Sequence, residues 1–175
     1  MRTSKNILIT GGAGIVGSNL VNHLLKKNFK IFVIDDLSNG SKKNLIKHKN
    51  LNFFKMCISN NKIGNIIAKN NIDHVIHLAA KKNARESDLK KKIYLKHNYT
   101  FSKKLFLCCK KLKVSNFYFA SSAAVYGEYK RIFKETNLTI PKNYYGYTKL
   151  KFENYLKKNY YSQTLIIRLF NVVGP

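Results

Sequence analysis

Short apolar runs recur along the chain and alternate with segments of helical periodicity. The runs with strand character are Asn6–Thr10, Lys30–Asp35, Leu51–Met56, His74–Leu78, Asn116–Ala120 and Leu165–Phe170. After the first run, apolar residues repeat every four positions, as at Val16, Leu20 and Leu24, and a similar repeat from Phe101 to Leu112 precedes the fifth run. Strands that are apolar on both faces and alternate with helices belong to parallel sheets covered on two sides. The pattern predicts a doubly wound, parallel α/β fold.

Length and composition indicate one folded domain. A chain of 175 residues, 45% of them hydrophobic, can bury a substantial core but is short for two full-sized domains. The net charge of +25 would ordinarily indicate a polyanionic partner. The arginines, which specific base and phosphate readers favour, are only Arg2, Arg85, Arg131 and Arg168. We therefore expect weak, salt-sensitive binding to polyanions and no specific nucleic-acid function.

The cysteines and the apolar runs bear on the compartment. Cys57, Cys108 and Cys109 are odd in number and lack the spacing of a disulfide framework or a zinc site, which favours a reducing cytoplasm. No signal peptide or membrane-spanning run is present, so we expect no membrane association. The histidines that could suggest a metal site are His74, His77 and His97. None has a carboxylate or cysteine partner at ligand spacing, so we expect no metal.

A glycine-rich turn follows the first predicted strand and opens the first helix. Gly11 suits the tight turn, Gly14 lets backbone amides approach a pyrophosphate at the helix N-terminus, and Gly17 permits close packing. Such a turn also occurs without a ligand, but here the second strand ends in Asp35, eighteen positions after Gly17. A carboxylate there can accept both hydroxyls of an adenosine ribose and would repel the extra phosphate of NADP. This predicts NAD as the cofactor, with Asp36 as a solvated turn residue.

Six segments in a fixed order carry a resemblance to a known family: TGGAGIVG, DDLSNG, HLAA, SSAAVYG, YGYTK and RLFNVVGP. From Met1 to Pro175 the chain resembles the extended short-chain dehydrogenases/reductases that act on nucleotide sugars, most closely the UDP-glucose 4-epimerase-like members. The resemblance implies an NAD-binding Rossmann domain over residues 1–175, a nucleotide-sugar substrate and, as an option for a full-length chain, a homodimer. It also implies a fragment or a natural truncation that lacks the C-terminal substrate portion. From the chain alone we expect weak NAD binding and no epimerisation.

The resemblance places a catalytic Ser-Tyr-Lys set at Ser122, Tyr145 and Lys149. Tyr145 and Lys149 are four residues apart, so on a helix their side chains lie on one face. A free tyrosine has a pKa near 10, and we expect Lys149 and the positive nicotinamide ring together to stabilise its phenolate. Ser122, just beyond the fifth predicted strand, would hydrogen-bond the reacting oxygen and relay its proton. Chance YxxxK pairs are common among eleven tyrosines, but the serine upstream argues against chance.

The remaining site residues follow from the same resemblance. The expected cofactor contacts are Gly11, Gly14, Ile15, Val16, Gly17, Asp35, Ser38, Asn39, Ile58, Leu78, Ala79, Ala80, Lys82, Asn98, Tyr145, Lys149 and Phe170. The expected substrate contacts are Ser122, Tyr145 and Asn171, of which Asn171 would touch the phosphates of the sugar nucleotide. One departure from the family concerns the adenine. The usual Asp-Ile pair after the third strand is Cys57-Ile58 here, which predicts a weaker adenine contact.

The residues after Ser122 favour epimerisation over the removal of water that other members of the family carry out. Family members that remove water from the sugar usually carry an Asp-Glu pair there, whereas this chain has Ala123 and Ala124. Methyl groups cannot transfer protons, so we expect oxidation at C4 of a UDP-hexose and return of the hydride, that is, an epimerase. The alternatives left open are a dehydratase, decarboxylase or reductase of the same family, or a non-catalytic dinucleotide-binding protein. The last has no use for a complete Ser-Tyr-Lys set.

Overall fold

The computed structural model describes residues 5–128, 132–159 and 163–173. Its strands are β1 (Asn6–Thr10), β2 (Lys30–Asp35), β3 (Leu51–Lys55), β4 (His74–His77), β5 (Asn116–Ser122) and β6 (Gln163–Leu169). They pair in parallel in the order β3-β2-β1-β4-β5-β6. This Rossmann-type sheet confirms the predicted doubly wound fold. The strand order reverses between β1 and β4, which is where such sheets bind ligands at the carboxyl ends of their strands.

The helices are α1 (Ile15–Lys26), α2 (Ile63–Lys69), α3 (Ala84–Leu89), α4 (Lys91–Tyr94), α5 (Ser102–Lys111) and α6 (Tyr144–Lys158). A π-helical segment, Leu95–Phe101, joins α4 to α5 without a break. Short 3-10 turns, Lys42–Asn44 and Ala123–Val125, lie after β2 and directly after β5. Several positions named in the sequence analysis lie outside the described residues: Met1, Arg2, Arg131, and Gly174 and Pro175 at the end of the last motif.

The predicted bounds of β1 and β2 are those observed, and the other strands differ by one or two residues. The differences are largest at β5 and β6: β5 extends through Ser122, whereas the sequence predicts Ser122 just beyond it, and β6 begins two residues earlier than predicted, at Gln163. Pairing explains this: β5 and β6 stay in register from Asn116 with Gln163 to Ser122 with Leu169. The strand pair therefore carries Ser122 on a hydrogen-bonded backbone.

The four inner strands, β1, β2, β4 and β5, are buried on both faces, which accounts for their continuous apolar runs, whereas Leu165 and Ile167 of the edge strand β6 are exposed. One face, with Leu8 and Phe32, packs against α2, α5 and α6 through a cluster that includes Phe106, Phe117 and Phe152. The other face, with Ile7, Ile9, Ile31 and Val33, packs against Val21 and Leu25 of α1. Because the sheet is fixed between these layers, the carboxyl ends of its strands form one rigid edge. In the described part of the chain, no helix has the length and apolar character needed to cross a membrane.

Candidate functional site

The glycine turn between β1 and α1 divides its roles among three glycines. Gly11 has a φ of +72°, and a Cβ on it would lie 2.7 Å from the backbone nitrogen of Ala79. A Cβ on Gly17 would lie 2.2 Å from the carbonyl oxygen of Gly11, so the fold itself requires both glycines. Gly14 is the N-cap residue of α1, and a Cβ on it would meet only the Gly11 oxygen, at 3.5 Å. The space before this helix N-terminus is therefore left open on the side where an anion would bind.

Asp35 ends β2 and is 8% exposed. One carboxylate oxygen accepts a hydrogen bond from the amide of Ala13 at 2.9 Å, and the other accepts from the amide of Leu37 at 2.8 Å. The side chain thus ties the glycine turn to the end of β2. Each oxygen keeps a further lone pair for a ribose hydroxyl, since a carboxylate offers about four acceptor positions.

Most of the predicted cofactor residues line one cleft along the carboxyl ends of β1, β2, β3 and β4. These are Gly11, Gly14, Ile15, Val16, Gly17, Asp35, Ser38, Asn39, Ile58, Leu78, Ala79, Ala80 and Lys82. Cys57 also lines it, as expected from its place beside Ile58. Sequence reasoning missed Lys81, His97 and Gly40, which line the cleft as well. The sequence did contain a signal for Gly40, since it ends the DDLSNG segment. In the structure, a Cβ on Gly40 would lie 2.7 Å from the carbonyl carbon of Ala13.

Asp36, expected to be a solvated turn residue, is exposed but lines the same cleft. Its carboxylate accepts a hydrogen bond from the amide of Ser38 at 2.9 Å. Burial opposes ionisation, but the hydrogen bonds from Ser38 and the nearby Lys81 and His97 outweigh it and lower the pKa of Asp36. Two carboxylates therefore stand at the end of β2, which is unfavourable for a 2′-phosphate.

Asn98 lies in the π-helical segment and is 2% exposed. Its side-chain oxygen accepts from the amide of Lys81 at 2.9 Å, and its side-chain nitrogen donates to the carbonyl of Lys81 at 2.9 Å and to the hydroxyl of Thr148 at 3.2 Å. The amide group is thus engaged by the chain itself. The structure places Asn98 as a brace between the loop after β4 and α6, and it does not line the cleft.

Tyr145 lies in the first turn of α6, whose position is fixed by three contacts. The Asn143 side chain caps the helix by accepting from the amide of Gly146 at 2.8 Å. The amides of Tyr144 and Tyr145 donate to Asp88 and Ser87 of α3 at 2.8 and 2.9 Å. The absent side chain of Gly146 lets this turn pack on the 3-10 turn after Ser122. As a result, the Ser122 hydroxyl and the Tyr145 phenol lie close enough for Ser122 to influence the ionisation of Tyr145.

Lys149 lies one helical turn beyond Tyr145 and is 3% exposed. Its ammonium donates to the carbonyl oxygen of Ala120 on β5 at 2.8 Å and lies 5.9 Å from the centre of the Tyr145 ring. Burial lowers the pKa of Lys149 to about 7, and the charge of Glu153 opposes that shift. Ser122, Tyr145 and Lys149 are therefore brought together at the carboxyl end of β5.

The chain's own groups do not by themselves stabilise the Tyr145 phenolate, which the sequence-based expectation assigned to Lys149 together with the nicotinamide ring. Burial raises the pKa of Tyr145, and the neighbouring Ser122 hydroxyl only partly offsets this effect. The Lys149 ammonium is directed to the Ala120 carbonyl and is itself destabilised by burial, so it does not reverse the shift. The chain's own groups thus favour the neutral phenol.

Like Asn98, the predicted contacts Tyr145 and Lys149 are not among the residues that line the cleft, and neither are Phe170 and Asn171. Phe170 and Asn171 follow the edge strand β6, and both are exposed. The Phe170 ring lies 5.5 Å from the Phe133 ring and lines a separate groove with Tyr126 and Arg168. The reason is topological: β6 is two strands away from β4, the strand whose loop lines the cleft.

His77 occupies a structural position in the core. It is fully buried, with one ring nitrogen 2.7 Å from the Thr10 hydroxyl and the other 2.8 Å from the Ser102 hydroxyl. Burial, helped by the nearby charge of Lys149, lowers the pKa of His77 to about 3, so the ring is neutral near pH 7. Within residues 5–128, 132–159 and 163–173, no group of three or more His, Cys, Asp or Glu side chains is placed to hold a metal ion.

Known proteins are similar to this chain over most of its length. The model of the NAD dependent epimerase/dehydratase family matches residues 7–175. The ADP-L-glycero-D-manno-heptose-6-epimerase of Brachyspira hyodysenteriae is 35% identical over 97% of this chain and 55% of its own length. Among solved structures, the UDP-N-acetylglucosamine 4-epimerase of Methanobrevibacter ruminantium, in complex with UDP-N-acetylmuramic acid, is 35% identical with a TM-score of 0.92. That match covers 98% of this chain and 56% of the other.

The UDP-glucose 4-epimerase of Thermus thermophilus, solved in complex with NAD, is 28% identical with a TM-score of 0.86. It is matched over 93% of this chain and 54% of its own chain. The chain therefore spans about half the length of the relatives that it matches.

Proposed function

Because the chain belongs to the NAD-dependent epimerase/dehydratase family, we propose that it binds NAD in this cleft and carries the catalytic set of a nucleotide-sugar 4-epimerase. One observation carries the proposal: the Ser122 hydroxyl, the Tyr145 phenol and the buried Lys149 ammonium lie together at the carboxyl end of β5, next to the cleft. We further propose that residues 1–175 act as one NAD-binding Rossmann domain with this set.

The residues of the cleft fit NAD. The open space at Gly14, before the N-terminus of α1, suits a pyrophosphate, because the helix amides and dipole favour an anion. Asp35 offers free lone pairs to a ribose, and Asp36 adds a second negative charge against a 2′-phosphate. Cys57 supplies a thiol in place of a carboxylate at the adenine end, so the fit is weaker there.

NAD, when bound, would take a hydride from the sugar carbon and return it. The chain's own part is to handle the hydroxyl proton. Tyr145 accepts that proton when oxidation occurs and returns it afterwards, and Ser122 hydrogen-bonds the same oxygen and orients it. This step needs the phenolate of Tyr145, which Lys149, 5.9 Å from the Tyr145 ring, and the positive nicotinamide ring of bound NAD would together favour against the effect of burial.

Substrate and position of attack are inferred from the relatives. The two solved relatives are named as 4-epimerases of UDP-sugars, and the curated relative is named as a 6-epimerase of an ADP-heptose. We favour a UDP-hexose, with or without an N-acetyl group. The 3-10 turn after Ser122 holds only methyl side chains at Ala123 and Ala124, which supports epimerisation over elimination of water.

Compartment and assembly complete the proposal. Cys57, Cys108 and Cys109 are free thiols in the structure, in keeping with a reducing cytoplasm. A homodimer of the full-length protein is the assembly that we propose to test, by light scattering.

The decisive experiment uses the protein in the longest form that its gene encodes. We would titrate NAD by calorimetry and then follow UDP-galactose and UDP-N-acetylglucosamine by product analysis. The expected result is interconversion of the 4-epimers without net NADH. A 4,6-keto product would indicate a dehydratase, and net NADH would indicate a dehydrogenase or a decarboxylase.

Tyr145→Phe separates the enzyme from a non-catalytic NAD binder. It should reduce kcat by a factor of about 10² to 10⁴, the usual range for a general acid-base group, and leave the Kd for NAD within a few-fold. Tyr147→Phe, on the exposed side of the same helix turn, is the matched control and should keep turnover. Normal turnover of the Tyr145 variant would favour the non-catalytic alternative.

A further inference from the structure

Glu153 is a buried carboxylate on the same face of α6 as the catalytic pair. Tyr145, Lys149 and Glu153 follow one another at four-residue spacing, so their side chains lie one above the other along the helix. Glu153 is 0% exposed. A carboxylate without access to water is costly unless it is paired and hydrogen-bonded, so its partners need an explanation.

The partners of the Glu153 carboxylate come from two strands and from α6 itself. Arg168 of β6 holds it in a bidentate pair, with Nε 3.1 Å from one oxygen and Nη2 2.7 Å from the other. The hydroxyl of Ser121 on β5 donates to the first oxygen. Lys157, one turn further along α6, lies 4.0 Å from the second oxygen. The carboxylate therefore joins α6 to the ends of β5 and β6.

Glu153 is connected to the candidate site in two ways, through its hydrogen bond with Ser121 and through its charge effect on Lys149. Ser121 directly precedes Ser122, so its hydrogen bond to Glu153 fixes the strand end that presents the Ser122 hydroxyl. Lys149 lies one turn before Glu153, and the charge of Glu153 favours the ammonium form of Lys149 against burial.

The other groups around Lys149 give its ammonium little support. His77 is neutral near pH 7, and the Tyr145 phenol is held neutral by burial. The Phe119 ring, 4.8 Å from the ammonium, and the Ala120 carbonyl contribute weaker attractions. Among these groups, Glu153 is therefore the anion whose charge favours the ammonium form of Lys149.

We propose that Glu153 is a positioning residue of the catalytic set, which acts through Lys149 and Ser121 rather than on the substrate. It keeps the Lys149 ammonium charged in a buried place and holds Ser122 within reach of Tyr145. A role in folding alone would not need a charge here, because buried ion pairs can often be replaced by apolar side chains without loss of stability. The role in turnover rests on the proposed function, but the charge state of Lys149 can be measured without it.

The test follows the ionisation of Lys149 by NMR of the protein labelled with ¹³C at lysine Cε. The resonance is assigned by its loss in Lys149→Arg. Glu153→Gln keeps the size of the side chain and its acceptor for Ser121 but removes the charge. We expect the titration midpoint of Lys149 to fall by at least about one pH unit, as for the loss of an opposite charge at close range.

Because Glu153→Gln leaves Arg168 without its partner, that variant can lose its fold. The double variant Glu153→Met with Arg168→Met removes both buried charges, and we expect it to fold and to show the same downward direction of the Lys149 midpoint. Glu86→Gln is the matched control, since it removes an equal charge from α3, where Glu86 pairs with Lys90 on the surface. It should leave the midpoint unchanged.

The pH dependence of kcat gives a second measurement. In Glu153→Gln, the pH profile of kcat should shift in the same direction as the Lys149 midpoint, while KM changes little. An unchanged Lys149 midpoint in both folded variants would overturn the proposal and leave Glu153 a fold element. Wild type that turns over no nucleotide sugar, but still shows the midpoint shift, would instead contradict the proposed function alone.

Discussion

Gly146 lies so close to Ala124 that a Cβ built on it would be 2.4 Å from the Ala124 carbonyl oxygen. This contact joins the first turn of α6 to the 3-10 turn after β5, and it is the approach that brings Tyr145 to Ser122. The geometry of the proposed catalytic set therefore depends on a residue that has no side chain.

We therefore expect Gly146→Ala to move Tyr145 away from Ser122. Overpacking of this kind costs about 1–3 kcal/mol of the free energy of unfolding, which urea denaturation would measure. Turnover should fall by at least about tenfold, because small misplacements are costly in a catalytic site. Gly64→Ala in α2 is the control: its Cβ would meet the sulfur of Cys108 at 3.3 Å, and it should change both quantities little. Full activity of Gly146→Ala would show that the close contact is dispensable.

Asp35→Ala tests the choice of cofactor. The substitution removes the acceptor for the ribose hydroxyls and the repulsion of a 2′-phosphate, so NAD should bind about 10- to 100-fold more weakly and NADP should gain relative to it. It also frees the amides of Ala13 and Leu37, so stability should fall. Calorimetric titration of both cofactors measures the change. Asp36→Ala, which removes only the second negative charge, should let NADP gain with little loss of NAD affinity. A wild type that already prefers NADP would contradict the assignment of Asp35.

Cys57→Asp should improve cofactor affinity. Cys57 lines the adenine end of the cleft where the resembled family carries aspartate, and its sulfur accepts a hydrogen bond from the hydroxyl of Ser59, at 3.3 Å. A carboxylate there would accept a hydrogen bond from the adenine amino group, worth about 1 kcal/mol, or roughly a fivefold lower Kd for NAD. Cys57→Ser, with a weaker acceptor, should change the Kd less. Equal or weaker binding by the aspartate variant would place the adenine elsewhere.

His77 should make the protein acid-sensitive. Its folded pKa of about 3 lies below the unfolded value of 6.5, so the unfolded chain binds the extra proton between these values. Stability should therefore fall as the pH drops from about 6.5 to 3, by at most about 1.4 kcal/mol per pH unit from this group. His77→Gln, which can still hydrogen-bond Thr10 and Ser102, should flatten that slope in urea denaturation. Identical slopes for the two proteins would rule out His77 as the source.

Local signals in the sequence were enough for the strands, the glycine turn and the residues at the strand ends. Periodicity identified β1 and β2 to the residue, because their apolar runs end in polar residues where the sheet edge begins. The pairing of Glu153 with Arg168 had no such signal, since it joins a helix to the next strand across the packed interior. The same holds for the hydrogen bonds from Asn98 to Lys81 and Thr148, whose geometry depends on tertiary packing.

The π-helical segment Leu95–Phe101 sets the phase of a long helix that runs from Lys91 to Lys111. A π turn holds about one residue more than an α turn, and each residue of an α-helix advances the chain by about 100° around the axis. If the same residues wound as uninterrupted α instead, α4 would turn relative to α5 by about that angle, because the wider turn absorbs the rotation of one residue. Asn98 could then no longer face Lys81 and Thr148 at once. Substitutions on the solvent side of this stretch should be tolerated far better than ones that force it into α winding.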